Sequence, residues 1–398
     1  MKYFVLLGDG MADYRCDALG GKTPLEAADK PNMDYLARHG VLGRCITVPD
    51  SMTPESDTAN LSLLGYEPEI YSRGRSPLEA VSMGIDLKPE QAAVRANLVT
   101  LSGEGDYASL TMDDNTGGEI TTAEARLLIE SLDTGLCSEG ERLYAGISYR
   151  HCLILDGWDG FRDFTRPHDI IGKPIMDYLP PEPYLSFQSR SRDILENHPV
   201  NLRRAAEGKK KANSVWLWSP GMRPALPDFR AKTGLSGAVV CAVDLIKGIG
   251  LCAGMEVPDV PGATGGTDTD YSAKERAAEA MFGKGHDFVY VHVEAPDEYG
   301  HQGDPKGKKK AIERLDSEIL RPMLSYLESS GDAYRVLVCP DHFTPASIRT
   351  HARGAVPFVI YDSRRDYNTP SAAFTEECSE MGGLVPTGSA LTDEFLRA

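Results

Sequence analysis

The sequence predicts an α/β fold: a mostly parallel sheet flanked by helices, with an α+β module inserted into it. Three observations carry this expectation. Continuous apolar runs, such as Phe4-Val5-Leu6-Leu7, Phe288-Val289-Tyr290-Val291 and Val336-Leu337-Val338, are what strands buried on both faces require. These runs alternate with helix signals, the pattern of strand–helix–strand units. From about residue 85 to 188 the character changes to short alternating runs, such as Ala93-Val94-Arg95-Ala96-Asn97-Leu98-Val99, separated by turn residues.

In chain order, the first strand enters at once and runs into Asp9. Thr23, Pro24 and Glu26 have the makings of a capping box for a short helix. Pro31 breaks that run, and Asn32 is placed to cap a second helix over residues 33–39, ended by Gly40. Residues 41–48 read as a strand; residues 53–58 open a helix over 59–64, closed by Gly65. Inside the module, Thr121 and Glu124 form a capping box for a helix over 122–132. After the proline-rich stretch 178–183 come a strand over 213–218 and an apolar segment over 237–245 that suits either strand or helix. A helix over 272–282 follows, capped by Ser272 and Glu275, then a strand over 288–293. A long helix over 309–328 should bend at Pro322, before strands over 335–339 and 357–361. The domains implied are residues 1–84 with 189–398, and residues 85–188.

The composition of the 398-residue chain, 41% hydrophobic and 25% charged, is that of an ordinary globular protein. A net charge of −17 disfavours nucleic acid or an anionic membrane as partner. No apolar run approaches the roughly 18 residues that span a bilayer, and the first residues are too quickly acidic for a signal peptide. Eight scattered cysteines without a CxxC pair fit reduced thiols and a cytoplasmic location. The lysine clusters 209–211 and 308–310 read as solvated ends of helices or loops. No nucleotide-binding motif is present: Gly8-Asp9-Gly10-Met11 is not GxGxxG, and Gly262-Ala263-Thr264-Gly265-Gly266-Thr267 lacks the Gly-Lys-Ser/Thr of a P-loop.

Chemistry-bearing residues gather where the apolar runs end. In parallel sheets, ligands sit outside the carboxyl ends of the strands. Asp9 follows the first run, Asp297 and His301 the run at 288, and Asp341-His342 the run at 335, while His351 precedes the run at 356. The four-residue spacing of Asp297 and His301 brings both to one side of a helical turn. Mixed Asp/His ligation suits Zn, Mn or Fe better than Mg or Ca. Six candidate ligands suffice for two metal ions sharing a site, which can clamp both oxygens of a displaced phosphoryl group. Ser56 supports two compatible readings: an N-cap, or a hydroxyl at a helix N-terminus beside a metal, able to attack phosphorus.

The order Asp9, Ser56, Asp297-x-x-x-His301, Asp341-His342, His351 resembles the alkaline phosphatase superfamily. More narrowly it resembles the archaeal-type branch of the cofactor-independent phosphoglycerate mutases. The similarity rests on Leu7-Gly8-Asp9-Gly10-Met11-Ala12-Asp13, on the stretch from Glu55-Ser56-Asp57 to Gly65-Tyr66, and on Gly74-Arg75-Ser76-Pro77-Leu78-Glu79-Ala80. It continues through Gly262-Ala263-Thr264-Gly265, Asp268-Thr269-Asp270-Tyr271, Ala295 to His301 and Pro340-Asp341-His342.

The resemblance implies an alkaline-phosphatase-like fold in which Ser56 is the phosphorylated nucleophile. It assigns Asp9, Ser56, Asp341 and His342 to one ion and Asp297, His301 and His351 to the other. Mn is the expected metal, with Zn, Co or Mg as alternatives. The implied activity moves phosphate from 3-phosphoglycerate onto the serine and back to the 2-hydroxyl, with water excluded. The insertion would hold the glycerate. Arg150, His151, Asp169 and Lys173 are its candidate substrate residues, with Arg162, Arg166 and His168 nearby, and Lys274 is a candidate phosphate contact. Asn60 departs from the pattern, standing where many relatives place a histidine. A homoserine-kinase-like subgroup and a metal-dependent phosphatase are the alternative activities. The sequence fixes no oligomeric state.

Overall fold

The structure is a computed structural model that describes residues 1–369 and 372–397. Its strands are β1 (Lys2–Gly8), β2 (Val41–Cys45), β3 (Gln91–Ser102), β4 (Thr111–Asp114), β5 (Glu141–Tyr144), β6 (Arg150–Asp156), β7 (Ser214–Met222), β8 (Gly237–Val240), β9 (Phe288–Val293), β10 (Tyr334–Cys339), β11 (Val356–Asp362) and β12 (Gly383–Val385). Two compact units emerge. The first comprises Met1–Ser72 and Ala225–Ala398, the second Arg73–Pro224.

The first unit is built on a seven-stranded sheet of order β12-β2-β11-β10-β1-β9-β8. β1 pairs in parallel with both β10 and β9, and β8 joins β9 in the same direction. The predicted, mostly parallel sheet is thus present, with β11 its one reversed strand. Its central strands β1, β9 and β10 are buried almost along their whole length: Phe4, Leu6, Val289, Val291, Val336 and Val338 share one core with Leu315, Ile319, Met323 and Leu36 from the helices.

This topology positions the site. Leu7 lies beside Cys339 and His292, so the carboxyl ends of β1, β10 and β9 are level. The reversal of β11 puts its first residue, Val356, at that same end, opposite Cys45 at the end of β2. Asp9, Asp297, Asp341, His351 and the segment leading to Ser56 therefore emerge on one edge.

The second unit is an antiparallel sheet of order β4-β3-β6-β5, with β7 also paired to β3. Val94, Ala96 and Leu98 face the helices Thr122–Leu136 and Tyr184–Leu195, while Val99 and Leu101 on the other face pack with Trp216 and Trp218. This is the strict alternation of a strand. The unit is wider than residues 85–188. Long-range pairing of Asn97 with Trp216 draws the strand at 214–222 into it, and the Arg95 amide donates to the Ser76 hydroxyl of the helix Ser76–Ser82.

Several local expectations are corrected. The segment over 237–245 divides into β8 and a helix, Asp244–Cys252. Asp270, not Ser272, caps the helix Tyr271–Gly283 by accepting from the Ala273 amide. The helix Pro31–His39 begins at the proline; Asn32 does not cap it. Asp316 instead accepts from the Asn32 amide at 3.3 Å, the Asn32 side chain at 2.6 Å and the Met33 amide at 2.7 Å. Asp316 lies in a π-turn, Leu315–Leu320, between the helices Pro305–Arg314 and Arg321–Ser329. That wide turn precedes Pro322, whose ring and missing N–H disrupt regular α-helical bonding. Thr121 and Glu124 do form the capping box, whereas only the Thr23 half of the other exists, since Glu26 pairs with Arg15. All eight cysteines are free thiols. Among the described residues no helix is long and apolar enough to cross a membrane.

Candidate metal centre

Ser56 is the first residue of the helix Ser56–Leu63, with Glu55 in the N-cap position. The N-cap reading of Ser56 is therefore displaced by one residue, because Glu55 is extended while Ser56 already has helical geometry. Its hydroxyl is consequently available, and its Oγ lies 3.2 Å from His342 Nε2.

Around that imidazole the predicted ligands converge. His342 Nε2 is 3.5 Å from Asp9 Oδ1 and 3.5 Å from Asp341 Oδ2. Its other nitrogen meets the Thr344 hydroxyl at 3.2 Å, and Thr344 donates to Asp297 Oδ1. A hydroxyl has a single proton, so Nδ1 of His342 must donate to Thr344, which leaves the Nε2 lone pair facing the serine and the two carboxylates.

A second group forms beside it. The helix Ala295–Gln302 presents Asp297 and His301 one turn apart, with His301 Nε2 3.1 Å from Asp297 Oδ2. His351 Nε2 lies 3.5 Å from Asp297 Oδ1 and 3.1 Å from His301 Nε2. Both rings donate from Nδ1 to backbone carbonyls, His301 to Arg349 at 3.1 Å and His351 to Pro54 at 2.8 Å. Two imidazole lone pairs and a carboxylate thus aim at one point, which calls for positive charge there. A proton serves in part: the hydrogen bond to Asp297 pushes His301 up to about 9. A divalent cation serves all three ligands at once. The two groups adjoin, with the His342 and His351 rings 4.1 Å apart.

Backbone geometry supports this placement. Arg349 adopts a left-handed φ of 57°, which for a side chain with a Cβ costs roughly 1–2 kcal/mol, and presents its carbonyl to His301. Gly10, at φ 56°, donates its amide to Asp341 Oδ1 at 2.9 Å; a Cβ there would stand 2.6 Å from Asp297 Oδ1.

Electrostatics point the same way. Burial pushes the Asp9 carboxyl well above the usual range, and Asp341, Glu294 and Asp297 push it further. Burial likewise raises Glu294 to about 8, with Asp297 and Asp341 adding to it. Burial raises Asp297 too, but the hydrogen bonds from His301 and His351 outweigh it and hold that carboxyl well below its ordinary value. Buried carboxylates crowded together need cations to ionise as a set. With oxygen and imidazole donors mixed, the residues present fit divalent metal ions.

Six residues that were not among the candidates read from the sequence join the site: His292, Glu294, Asn60, Tyr290, Thr344 and Lys308. His292 Nε2 lies 3.0 Å from Asp9 Oδ2, and its Nδ1 is 3.8 Å from Glu294 Oε2. Their spacing of two, at the very end of an apolar strand, was the available signal. Asn60, Tyr290 and Thr344 bond to the ligands directly or through one another. Lys308, expected to be solvated, is wholly buried and donates to Gly10 O, Thr344 O and Asp13 Oδ2. Its place on the inward side of the helix Pro305–Arg314, rather than the lysine run around it, decides its environment.

The predicted substrate residues are dispersed. Lys274 is buried, donates to His292 O at 2.9 Å and is lowered to about 8 by burial. In the second unit Arg150, Asp169 and Lys173 are exposed, with Lys173 Nζ bonded to Asp169 O at 3.0 Å. His151 instead points inward: its Nδ1 accepts from the Gly146 amide, and burial lowers it to about 3, so the ring is neutral. Arg162 stacks over Trp158 at 4.8 Å.

The sequence pattern of the 2,3-bisphosphoglycerate-independent phosphoglycerate mutase family matches residues 37–201. A protein of that description from Methanosarcina barkeri is 49% identical over 389 residues, covering 96% of each chain. Another, from Methanothrix thermoacetophila, is 50% identical with the same coverage. Among solved structures, a Pyrococcus horikoshii protein matches with a TM-score of 0.81 at 28% identity, covering 99% of this chain and 96% of that one. The cofactor-independent phosphoglycerate mutase of Thermoplasma acidophilum matches with a TM-score of 0.69 at 27% identity, over 99% of this chain and 98% of its own.

Proposed function

The chain belongs to the 2,3-bisphosphoglycerate-independent phosphoglycerate mutases, and from that membership we propose that it interconverts 3-phosphoglycerate and 2-phosphoglycerate through a phosphorylated Ser56. The observation that carries the proposal is the Ser56 hydroxyl, 3.2 Å from His342 Nε2 and flanked by Asp9 and Asp341.

In this reading Asp9, Ser56, Asp341 and His342 hold one divalent ion and Asp297, His301 and His351 a second, with Mn the expected metal. Such ions lower the pKa of a bound hydroxyl and neutralise phosphoryl oxygens. Ser56 Oγ gives up its proton and bonds to phosphorus as the bond to the 3-oxygen of glycerate breaks, and that oxygen takes a proton. The 2-hydroxyl then loses its proton and bonds to phosphorus as the bond to Ser56 Oγ breaks. Atoms balance without any co-substrate. The N-terminal end of the helix that Ser56 opens carries the positive end of the helix dipole, which favours a phosphoryl group. The cations Arg150 and Lys173, exposed on the second unit, are proposed to recognise the glycerate carboxylate and Asp169 a glycerate hydroxyl, with Lys274 acting as a charge behind Asp9. A cytoplasmic setting accords with the free thiols.

An enolase-coupled assay on the Mn²⁺-loaded protein, without 2,3-bisphosphoglycerate, tests the activity. Turnover is expected, as is a raised KM for Arg150→Ala; silence combined with ATP-dependent phosphorylation of homoserine would replace the mutase reading. The ligand division has a separate readout. His301→Ala is expected to lower bound Mn²⁺ from two equivalents to one by elemental analysis, and two retained equivalents would remove His301 from the shell.

A further inference from the structure

Asn60 lies one turn after Ser56, wholly buried, and three groups surround its side-chain amide. Nδ2 is 2.8 Å from the Ser56 carbonyl and 3.1 Å from Asp341 Oδ2. Oδ1 is 2.7 Å from the Tyr290 hydroxyl. The Ser56 carbonyl and the Asp341 carboxylate only accept, while the Tyr290 hydroxyl can donate. A single orientation of the amide satisfies all three, and the flipped one would set its oxygen against two acceptors.

We propose that Asn60 is a positioning residue that locks the nucleophile's helical turn to the metal ligand Asp341, and that Tyr290 fixes Asn60 in the one orientation that does so. This rests on the mutase reading for its kinetic consequence, though not for its metal-binding one.

The argument follows from which atoms are tied. Asp341 Oδ1 is already held by the Gly10 amide at 2.9 Å and the His342 amide at 2.8 Å. Asn60 is therefore the group that bonds the other oxygen, Oδ2, the one facing His342 Nε2. Gripped on both oxygens, the carboxylate keeps its plane and cannot turn about its last bond. The same amide bonds the Ser56 carbonyl, so any shift of the helix start moves against Asp341. Hydroxyl and carboxylate are thus set in register by a single side chain, and chemistry that depends on placement loses rate steeply when such registers loosen.

Tyr290 makes the device directional. It sits on β9, while Asn60 is on the helix Ser56–Leu63 and Asp341 follows β10, so the chain of bonds joins three separate elements. Burial raises the Tyr290 hydroxyl well above its ordinary value, so it stays protonated and able to donate.

Asn60→Ala, Tyr290→Phe and the double variant, each Mn²⁺-loaded, test this through the coupled assay, Mn²⁺ titration calorimetry and thermal unfolding. Asn60→Ala is expected to lower kcat about 10- to 100-fold with KM changed less than threefold, and to weaken one Mn²⁺ site while the other keeps its affinity. Tyr290→Phe should do the same to a smaller degree, and adding it to Asn60→Ala should cost nothing more, because Tyr290 acts through Asn60. Unchanged Mn²⁺ binding and kcat in Asn60→Ala would overturn the proposal. So would independent, multiplying losses in the double variant, or losses that scale only with Tm. Should Asn60→Ala not fold, Tyr290→Phe decides alone, since it removes just one hydroxyl. If wild-type protein shows no mutase turnover, the functional reading fails, while the Mn²⁺ titrations still judge the role of Asn60.

Discussion

Ser56→Ala is expected to abolish turnover, with a loss on the order of 10³-fold or more, because it removes the hydroxyl proposed to carry the phosphoryl group. The folded state should hardly notice. Ser56 occupies the first helical position without acting as the cap, and its side chain bonds to an imidazole that also faces Asp9 and Asp341. Alanine is at least as good a helix former there. Tm within about a degree of wild type, together with a silent assay, separates loss of the nucleophile from loss of fold. Mass spectrometry of acid-quenched wild-type enzyme should find a phosphoryl group on Ser56. Near-normal rates in the variant, or a phosphoryl group trapped elsewhere, would remove the covalent step.

Lys308→Met is expected to give the largest stability loss of any single change considered. The ammonium is fully buried and bonds Gly10 O at 2.9 Å, Thr344 O at 2.6 Å and Asp13 Oδ2 at 2.7 Å. Asp13 in turn accepts from the Tyr14 and Ala346 amides. One cation thus ties the loop after β1 to the loop after β10, the two loops that carry Asp9 and Asp341. Methionine fills the space but strands the Asp13 carboxylate in a dry interior, at a cost of about 3–5 kcal/mol. For a unit of this size, that lowers Tm on the order of 10 °C. Adding Asp13→Leu should recover part of the loss, because the unpaired charge goes as well. Thermal unfolding of both variants is the measurement. A single variant within about 1 kcal/mol of wild type would mean that the tie carries little of the fold.

Much of the sheet was legible because parallel strands buried on both faces leave nearly unbroken apolar runs, and the polar residues ending those runs then stand out. Asp9, Asp297, His301, Asp341, His342 and His351 were found in that way, and register alone explains why they meet. What escaped were residues whose role depends on a partner hundreds of positions away. Lys308 looks like its neighbours Lys309 and Lys310 until the helix face is known. Asn60 stands out in the sequence as a departure from the family pattern, but its bonds to Tyr290 and Asp341 are visible only in the fold. Capping showed the same limit, since Thr121 with Glu124 is local and readable, whereas Asp316 serving the amides of Asn32 and Met33 is not. The boundary of the second unit was missed for this reason too: β7 belongs with β3 by pairing, not by proximity in the chain.

The place of β1, between β9 and β10, has a consequence for how the protein is made. Among the described residues β1 hydrogen-bonds to β9 and β10, which begin at Phe288 and Tyr334 and so are synthesised long after it. At about 5–20 residues per second, it waits on the order of tens of seconds for both partners. The unit from Arg73 to Pro224 is continuous and can close in the meantime. Through that interval Phe4, Val5, Leu6 and Leu7 remain an unpaired apolar segment, the kind that nascent-chain chaperones shield.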